Sequence, residues 1–150
     1  MINDDITRSI LDGVAYIVLA TADADGEPWA SPVWFATDGY DDLYWISRPD
    51  AQHSRNIAAR ADISIVVFDS TNPPATRQAV YMRATAQQVS DPNAIAHGAA
   101  VFSHDSAAQG LGELTIDEVT GDTDLRLFHA RVRENWILEN DHDVRVRVHP

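Results

Sequence analysis

The sequence contains no cysteine, which excludes disulfides, thiolate nucleophiles and thiolate zinc sites. Lysine is absent as well: Lys and Arg together number 11, and every one is arginine. A catalytic Schiff base therefore has no side-chain amine to form on. Positive charge is scarce altogether. Asp and Glu number 23, the formal net charge is -12 and the pI is about 4.6. Such a surface repels phosphate backbones and anionic bilayers, which argues against nucleic-acid and membrane partners. No apolar run approaches the ~20 residues of a membrane span. The opening Met-Ile-Asn-Asp-Asp is acidic and lacks the basic start of a signal peptide, so the expectation is a soluble, cytoplasmic protein. Nucleophile elbows, P-loops, GxGxxG turns and HExxH are also missing.

The composition itself is ordinary, with 45% apolar and 23% charged residues in 150. That length predicts one domain over residues 1–150. Ile6, Ile10 and Leu11 form the apolar stripe of a short helix over Asp4–Leu11, with Asn3 as its cap and Gly13 as its end. Val14–Thr21 is a β-branched, apolar strand. An Asp-Gly turn at Gly26 leads into a return strand over Trp29–Thr37, in which Pro32 requires an edge or bulged position. A second Asp-Gly turn leads to a third strand over Leu43–Ser47. After Pro49, Asp50–Arg60 reads as a helix with Ile57, Ala58 and Ala59 on its apolar face.

Ile63–Phe68 is an unbroken apolar strand. Gln78–Val89 alternates, with Val80, Met82, Ala84 and Ala86 inward and Tyr81, Arg83, Thr85 and Gln87 outward. Ser90-Asp-Pro92 starts a helix that runs to Phe102. A short helical stretch over Ile116–Val119 follows. Leu125–Val132 and Trp136–Leu138 are apolar again, and the tail Val144–His149 alternates apolar with basic. Strands dominate, and their short connections suit hairpins, so the expected fold is mainly β: an antiparallel barrel with peripheral helices.

Of the remaining polar residues, His97 and His104 fall on one helix face about 10 Å apart, too far for one metal ion. The acid pairs Asp4-Asp5 and Asp41-Asp42 read as solvated surface at caps and turns. No catalytic triad or carboxylate dyad assembles from the sequence.

Four short segments carry a resemblance. They are Pro28-Trp-Ala-Ser-Pro-Val-Trp-Phe35, Leu43-Tyr-Trp-Ile-Ser-Arg48, His53-Ser-Arg-Asn-Ile57 with the strand that follows it, and Arg77-Gln78-Ala-Val80. In their order and spacing they resemble the FMN-binding split-barrel family, whose best-known members are the pyridoxamine 5'-phosphate oxidases. The resemblance implies a six- to seven-stranded antiparallel split β-barrel of Greek-key type with short helices. It implies a homodimer with FMN at the subunit interface, and oxidoreduction of a small-molecule substrate. Val33 and Trp34 would meet the ring edge largely through backbone groups. Ile46, Ser47, Arg48, His53 and Ser54 would hold the ribityl phosphate, with Arg55 beside them. Gln78 would reach the polar edge of the ring, and Trp136 would be a wall contributed by the second subunit.

The physical chemistry agrees with this reading: hydroxyls, basic groups and free helix N–H groups suit a phosphate, and Trp34, Tyr44 and Trp45 offer flat surfaces for the ring. Two departures stand out. His53 occupies a place usually held by Lys or Arg, and Arg145-Val-Arg147-Val-His149 does not match the Arg-x-His substrate motif of the true oxidases. Pyridoxamine phosphate oxidation is therefore not implied. The related deazaflavin F420 is the alternative cofactor, and a non-catalytic flavin-binding module the alternative role.

Overall fold

Alternating and unbroken apolar runs become strands, and the Asp-Gly pairs become their turns. The computed structural model describes residues 2–74, 78–138 and 145–150. In chain order the elements are α1 (Ile2–Gly13), β1 (Tyr16–Ala22), β2 (Pro28–Asp38), β3 (Asp42–Ser47), α2 (Gln52–Ala59), β4 (Asp62–Val67), β5 (Val80–Gln88), α3 (Pro92–Ala108), a 3-10 turn (Ile116–Val119), β6 (Arg126–Leu138) and β7 (Arg145–Val148). The sheet order is β3-β2-β1-β4-β5-β6-β7, every pairing is antiparallel, and β3 also pairs with β6. Strands β1 to β6 thus close a barrel, and β7 extends it. The run β3-β2-β1-β4 is a Greek key.

Local chemistry explains the joints. At the β1–β2 turn Gly26 takes φ +87°, and the Asp23 carboxylate accepts the N–H groups of Asp25 and Glu27 at 2.9 Å each. Only a residue free of a Cβ adopts that backbone at little cost. Asp91 caps α3 by accepting the Ala94 N–H at 3.0 Å, with Pro92 in the first turn. The Asn3 expectation fails: Asn3 lies inside α1, where its carbonyl accepts the Thr7 hydroxyl at 2.8 Å.

The barrel interior is filled by inward residues of all six strands, including Ile17, Leu19, Leu43, Ile65, Val80 and Met82, each 2% exposed or less. α1 closes it with Ile10 and Leu11. A smaller core lies outside the barrel, where α3 and the 3-10 turn cover Tyr44 and Leu127. There Gly98 lets α3 come close. A Cβ on Gly98 would stand 2.5 Å from Leu127 Cδ2 and 2.8 Å from Tyr44 Cε1.

Two further expectations are corrected. The two apolar stretches expected before and after residue 133 form one strand, β6, 13 residues long. Its pairing with β5 skips Arg133: Arg83 faces Glu134 and Ala84 faces Val132. This bulge absorbs the polar Arg133-Glu134-Asn135 run that interrupts the alternation. Helix α2 buries His53, Ser54, Asn56 and Ile57, while Ala58 and Ala59 are exposed. Among the described residues, no helix is long and apolar enough to cross a membrane.

Candidate functional site

The barrel splits where β2 and β3 part. Residues Pro28 to Trp34 of β2 pair with β1, but only Phe35 to Asp38 pair with β3. Among the described residues, one backbone edge of β2 is therefore free of strand partners along Pro28 to Trp34, and this is where Pro32 sits. On the other lip, Ile46 and Ser47 pair with Leu127 and Arg126 of β6 and have no β2 partner. The chain then turns at Pro49 into α2.

α2 is anchored by a polar relay. Gln52 Nε2 donates to Asn56 Oδ1 at 2.8 Å, and Asn56 Nδ2 donates to Thr21 Oγ1 at 3.0 Å. Asn56 is 2% exposed, so this bond fixes the helix to β1. The cap residue, Ala51, supplies no side-chain acceptor, which leaves the first N–H groups of α2 free of a side-chain cap. Arg55 is exposed, and its guanidinium donates to Gln52 Oε1 at 2.8 Å. Arg48 lies on the same lip, 3.3 Å from exposed Asp124.

Ser47 and His53 form a buried pair, Oγ to Nε2, at 2.8 Å. Burial pushes the His53 pKa below its ordinary 6.5, so the imidazole is neutral at pH 7. His53 is thereby a neutral hydrogen-bonding group at this lip. Positive charge at this lip comes from Arg48 and Arg55.

The other expected residues separate. Val33 is 6% exposed within the barrel core, so only its backbone faces the free edge. Trp34 is half-buried and meets Phe102 of α3 edge-on, with ring centroids 5.0 Å apart. Ile46 packs against the outer core under α3. Ser54 lines a cavity of about 360 Å³ with Pro49 and the end of β5, and its Oγ has no hydrogen-bond partner among the described residues. The flat surfaces expected of Trp45 and Tyr44 are not available. Trp45 is fully buried and stacks on Phe128 at 6.0 Å, and Tyr44 lies under α3 between His97 and His129.

Gln78 and Trp136 stand apart from the phosphate group of residues. The Gln88 end of β5 is level with Phe128, which faces Trp45. Gln78 precedes the opposite end of that strand, about 26 Å away by strand rise. It lines a cavity of about 410 Å³ with Asp5, Ser9 and Asn72. Trp136 faces outward from β6, half-buried, with the guanidiniums of Arg83 and Arg145 over its ring at 5.3 and 5.1 Å. It is not a core tryptophan. Arg77 lies outside the described residues.

The sequence reading missed two contacts that clamp the β2–β3 hairpin. His97 Nε2 lies 2.8 Å from Asp38. Asp42 receives His129 at 2.7 Å and Arg131 at 2.6 Å, which corrects the view of Asp42 as merely solvated. Opposite charges facing each other across β3 and β6 were the available signal, but the pairing of those strands is not visible locally. No group of three or more potential metal ligands is present among the described residues.

No curated protein matches this chain. Solved structures share its fold. It is similar to a heme binding protein from Mycobacterium smegmatis at 20% identity and TM-score 0.73, with 97% of this chain and 57% of that chain covered. This chain therefore spans just over half of that protein. It is similar to HutZ, the heme storage protein from Vibrio cholerae, at 20% identity and TM-score 0.66, with 87% and 89% covered. An F420 reductase matches at 26% identity and TM-score 0.59, with 85% and 94% covered. The family model of pyridoxamine 5'-phosphate oxidase matches residues 4–136, nearly the whole described barrel and both lips of its split. By that match, and by the split barrel it forms, the chain belongs to the pyridoxamine 5'-phosphate oxidase family.

Proposed function

We propose that this protein is a flavin-dependent oxidoreductase that binds FMN at the split between β2 and β3 and acts on a small molecule. The observation that carries the reading is the uncapped start of α2 beside Ser47, Arg48 and Arg55. In a chain of net charge -12 this is a local concentration of donors suited to a phosphate dianion. Free backbone groups of Pro28 to Trp34 meet the polar edge of the ring. Bound FMN would supply hydride chemistry. The chain's own residues bind the phosphate, orient the ring along β2 and keep His53 neutral through burial. No protein acid or base is assigned.

A homodimer belongs to this reading, and so does a cytoplasmic location. Val18, Val66, Tyr81 and Trp136 face one another in a single row across β1, β4, β5 and β6 on the outside of the barrel. All of them are half-buried in the single chain. A second copy covering this row would bring its Trp136 and Gln78 to the neighbouring phosphate group, which one chain keeps apart.

An F420-dependent reductase is the second reading, favoured by the similarity to an F420 reductase. Its longer anionic tail requires a more basic groove than Arg48 and Arg55 provide.

The test is the visible spectrum of purified protein, followed by mass analysis of the released cofactor and titration with FMN and F420. Bound FMN that turns over with a reductant and an acceptor supports the proposal, whereas bound FMN that nothing reoxidises favours a flavin-binding module. Binding of F420 alone favours the second reading, and a heme Soret band in its place refutes both. Arg55→Ala should weaken FMN binding about tenfold, as expected for one lost charge-assisted bond of about 1.5 kcal/mol. Light scattering should give twice the 16.6 kDa chain mass.

A further inference from the structure

Ser47 and His53 share one hydrogen bond, and what the pair offers to the lip depends on which of them donates it. Oγ and Nε2 lie 2.8 Å apart, in residues that are 8% and 9% exposed. A serine hydroxyl has one proton and two acceptor lone pairs. A neutral imidazole donates through one ring nitrogen and accepts through the other. If Ser47 donates, its proton is spent on Nε2, and its oxygen turns only lone pairs toward the lip. If Nε2 donates, the Ser47 proton is free to point there.

The surroundings leave this choice to a ligand. The tautomer of a histidine is ordinarily set by the partner of its second nitrogen. His53 Nδ1 has no hydrogen-bond partner among the described residues, and it is not sealed from solvent. Burial keeps the ring neutral at pH 7, so His53 carries a single ring proton. The side chain sits in the uncapped first turn of α2, beside the proposed phosphate donors.

A phosphate dianion has acceptors only, so contact with Ser47 Oγ requires the hydroxyl proton. With that proton on the phosphate side, a bare Nε2 would face the Ser47 lone pairs at 2.8 Å, which is repulsive. Both contacts hold together only when Nε2 carries the ring proton. We infer that His53 is a positioning residue: protonated on Nε2, it donates to Ser47 Oγ and thereby turns the single Ser47 hydroxyl proton toward an oxygen of the bound phosphate. A lysine or arginine in this place would donate to the phosphate itself, whereas His53 acts through Ser47. This role rests on the phosphate site proposed at the α2 lip.

The experiment records proton–nitrogen NMR correlations of the histidine rings in isotope-labelled protein at pH 8, where a phosphate monoester is dianionic. FMN and inorganic phosphate are added to separate samples. In either complex His53 should carry one ring proton, on Nε2. A proton on Nδ1, alone or with one on Nε2, would overturn the inference. This readout needs no variant, so it stands even if a substitution unfolds the chain. Binding constants supply the second readout. Ser47→Ala, His53→Ala and the double variant should each weaken FMN about tenfold, the loss of one bond to a charged group, because the two side chains act as a unit. His53→Gln keeps an N–H donor for Ser47 and should stay within about threefold of wild type. Losses that multiply in the double variant, a His53→Gln as weak as His53→Ala, or equal losses for riboflavin, which lacks the phosphate, would each refute the positioning role. Inorganic phosphate binding without FMN binding defeats the flavin reading and leaves the His53 tautomer to decide this one; binding of neither defeats both.

Discussion

Replacing Gly98 by alanine sets two opposing effects against each other. Gly98 is in the interior of α3, where alanine is intrinsically better by about 0.8–1 kcal/mol. The added methyl, however, would lie 2.5 Å from Leu127 Cδ2 and 2.8 Å from Tyr44 Cε1. Neither neighbour has room to retreat. Leu127 is 1% exposed, and the Tyr44 ring is backed by His129 at 5.0 Å. Overpacking a closed site of this kind costs about 1–3 kcal/mol. Sterics should win, for a net loss of up to about 2 kcal/mol, or a Tm lower by up to about 8 °C at this chain length.

A second background separates the two effects. Leu127→Ala removes the closest contact and leaves only the Tyr44 ring at 2.8 Å, so Gly98→Ala should cost less there, with a coupling energy of about 1 kcal/mol. Urea unfolding of the four proteins of this cycle measures both quantities. A Gly98→Ala protein that is more stable than wild type, or one equally affected in both backgrounds, refutes the packing argument.

Acid should destabilise the protein through His53. Its folded pKa is lowered by burial, so between that value and 6.5 the unfolded chain binds more protons than the folded one. The stability contributed by neutral His53 is complete above pH 6.5 and declines as pH falls toward the folded value. Urea midpoints from pH 8 to pH 5 should drop less steeply in His53→Gln, and parallel profiles would eliminate His53 as the cause. Ser47→Ala should cost about 1–3 kcal/mol, because it strips a buried ring nitrogen of its only partner in the pair; a change under 0.5 kcal/mol in denaturant titration would contradict this. Asp42→Ala loses two bonds between β3 and β6 at a half-exposed position and should cost about 1–2 kcal/mol. Hydrogen exchange of the β3 amides should accelerate alongside that loss, and unchanged protection would show that the clamp does not hold the strand.

The strands were legible where one face was wet. β5 alternates cleanly, and its Val80, Met82, Ala84 and Ala86 are all inside. β3 was harder to orient. Its Leu43-Tyr44-Trp45 run is apolar on both faces because the barrel core covers one and α3 covers the other. A run apolar on both faces signals double coverage, and that signal argued against offering Tyr44 and Trp45 to a ligand. The polar face of α2 was misleading for a different reason. His53 and Asn56 are buried because Ser47 and Thr21 supply their hydrogen bonds, and those partners come from other strands. The bulge at Arg133 had no turn residue to announce it. Ser47, Arg48 and Arg55 were found as a group because chain proximity alone places them at one lip. Gln78 and Trp136 could not be placed relative to that group from local spacing.

Closure of the barrel by β3 and β6 also has a kinetic meaning. Asp42 and Arg131 meet although they are 89 positions apart. Bringing such distant segments together costs about 2.7 kcal/mol more loop entropy than closing a hairpin of about four residues. The β1–β2–β3 meander and the β4–β5 pair can form from neighbouring sequence, but the closing seam must await β6. Until then β3 presents a bare edge, with Leu43 and Trp45 not yet enclosed. The seam is thus the step at which folding and self-association compete. Aspartates 38, 41 and 42 border that edge with like charge, which discourages the wrong strand from docking before the right one arrives.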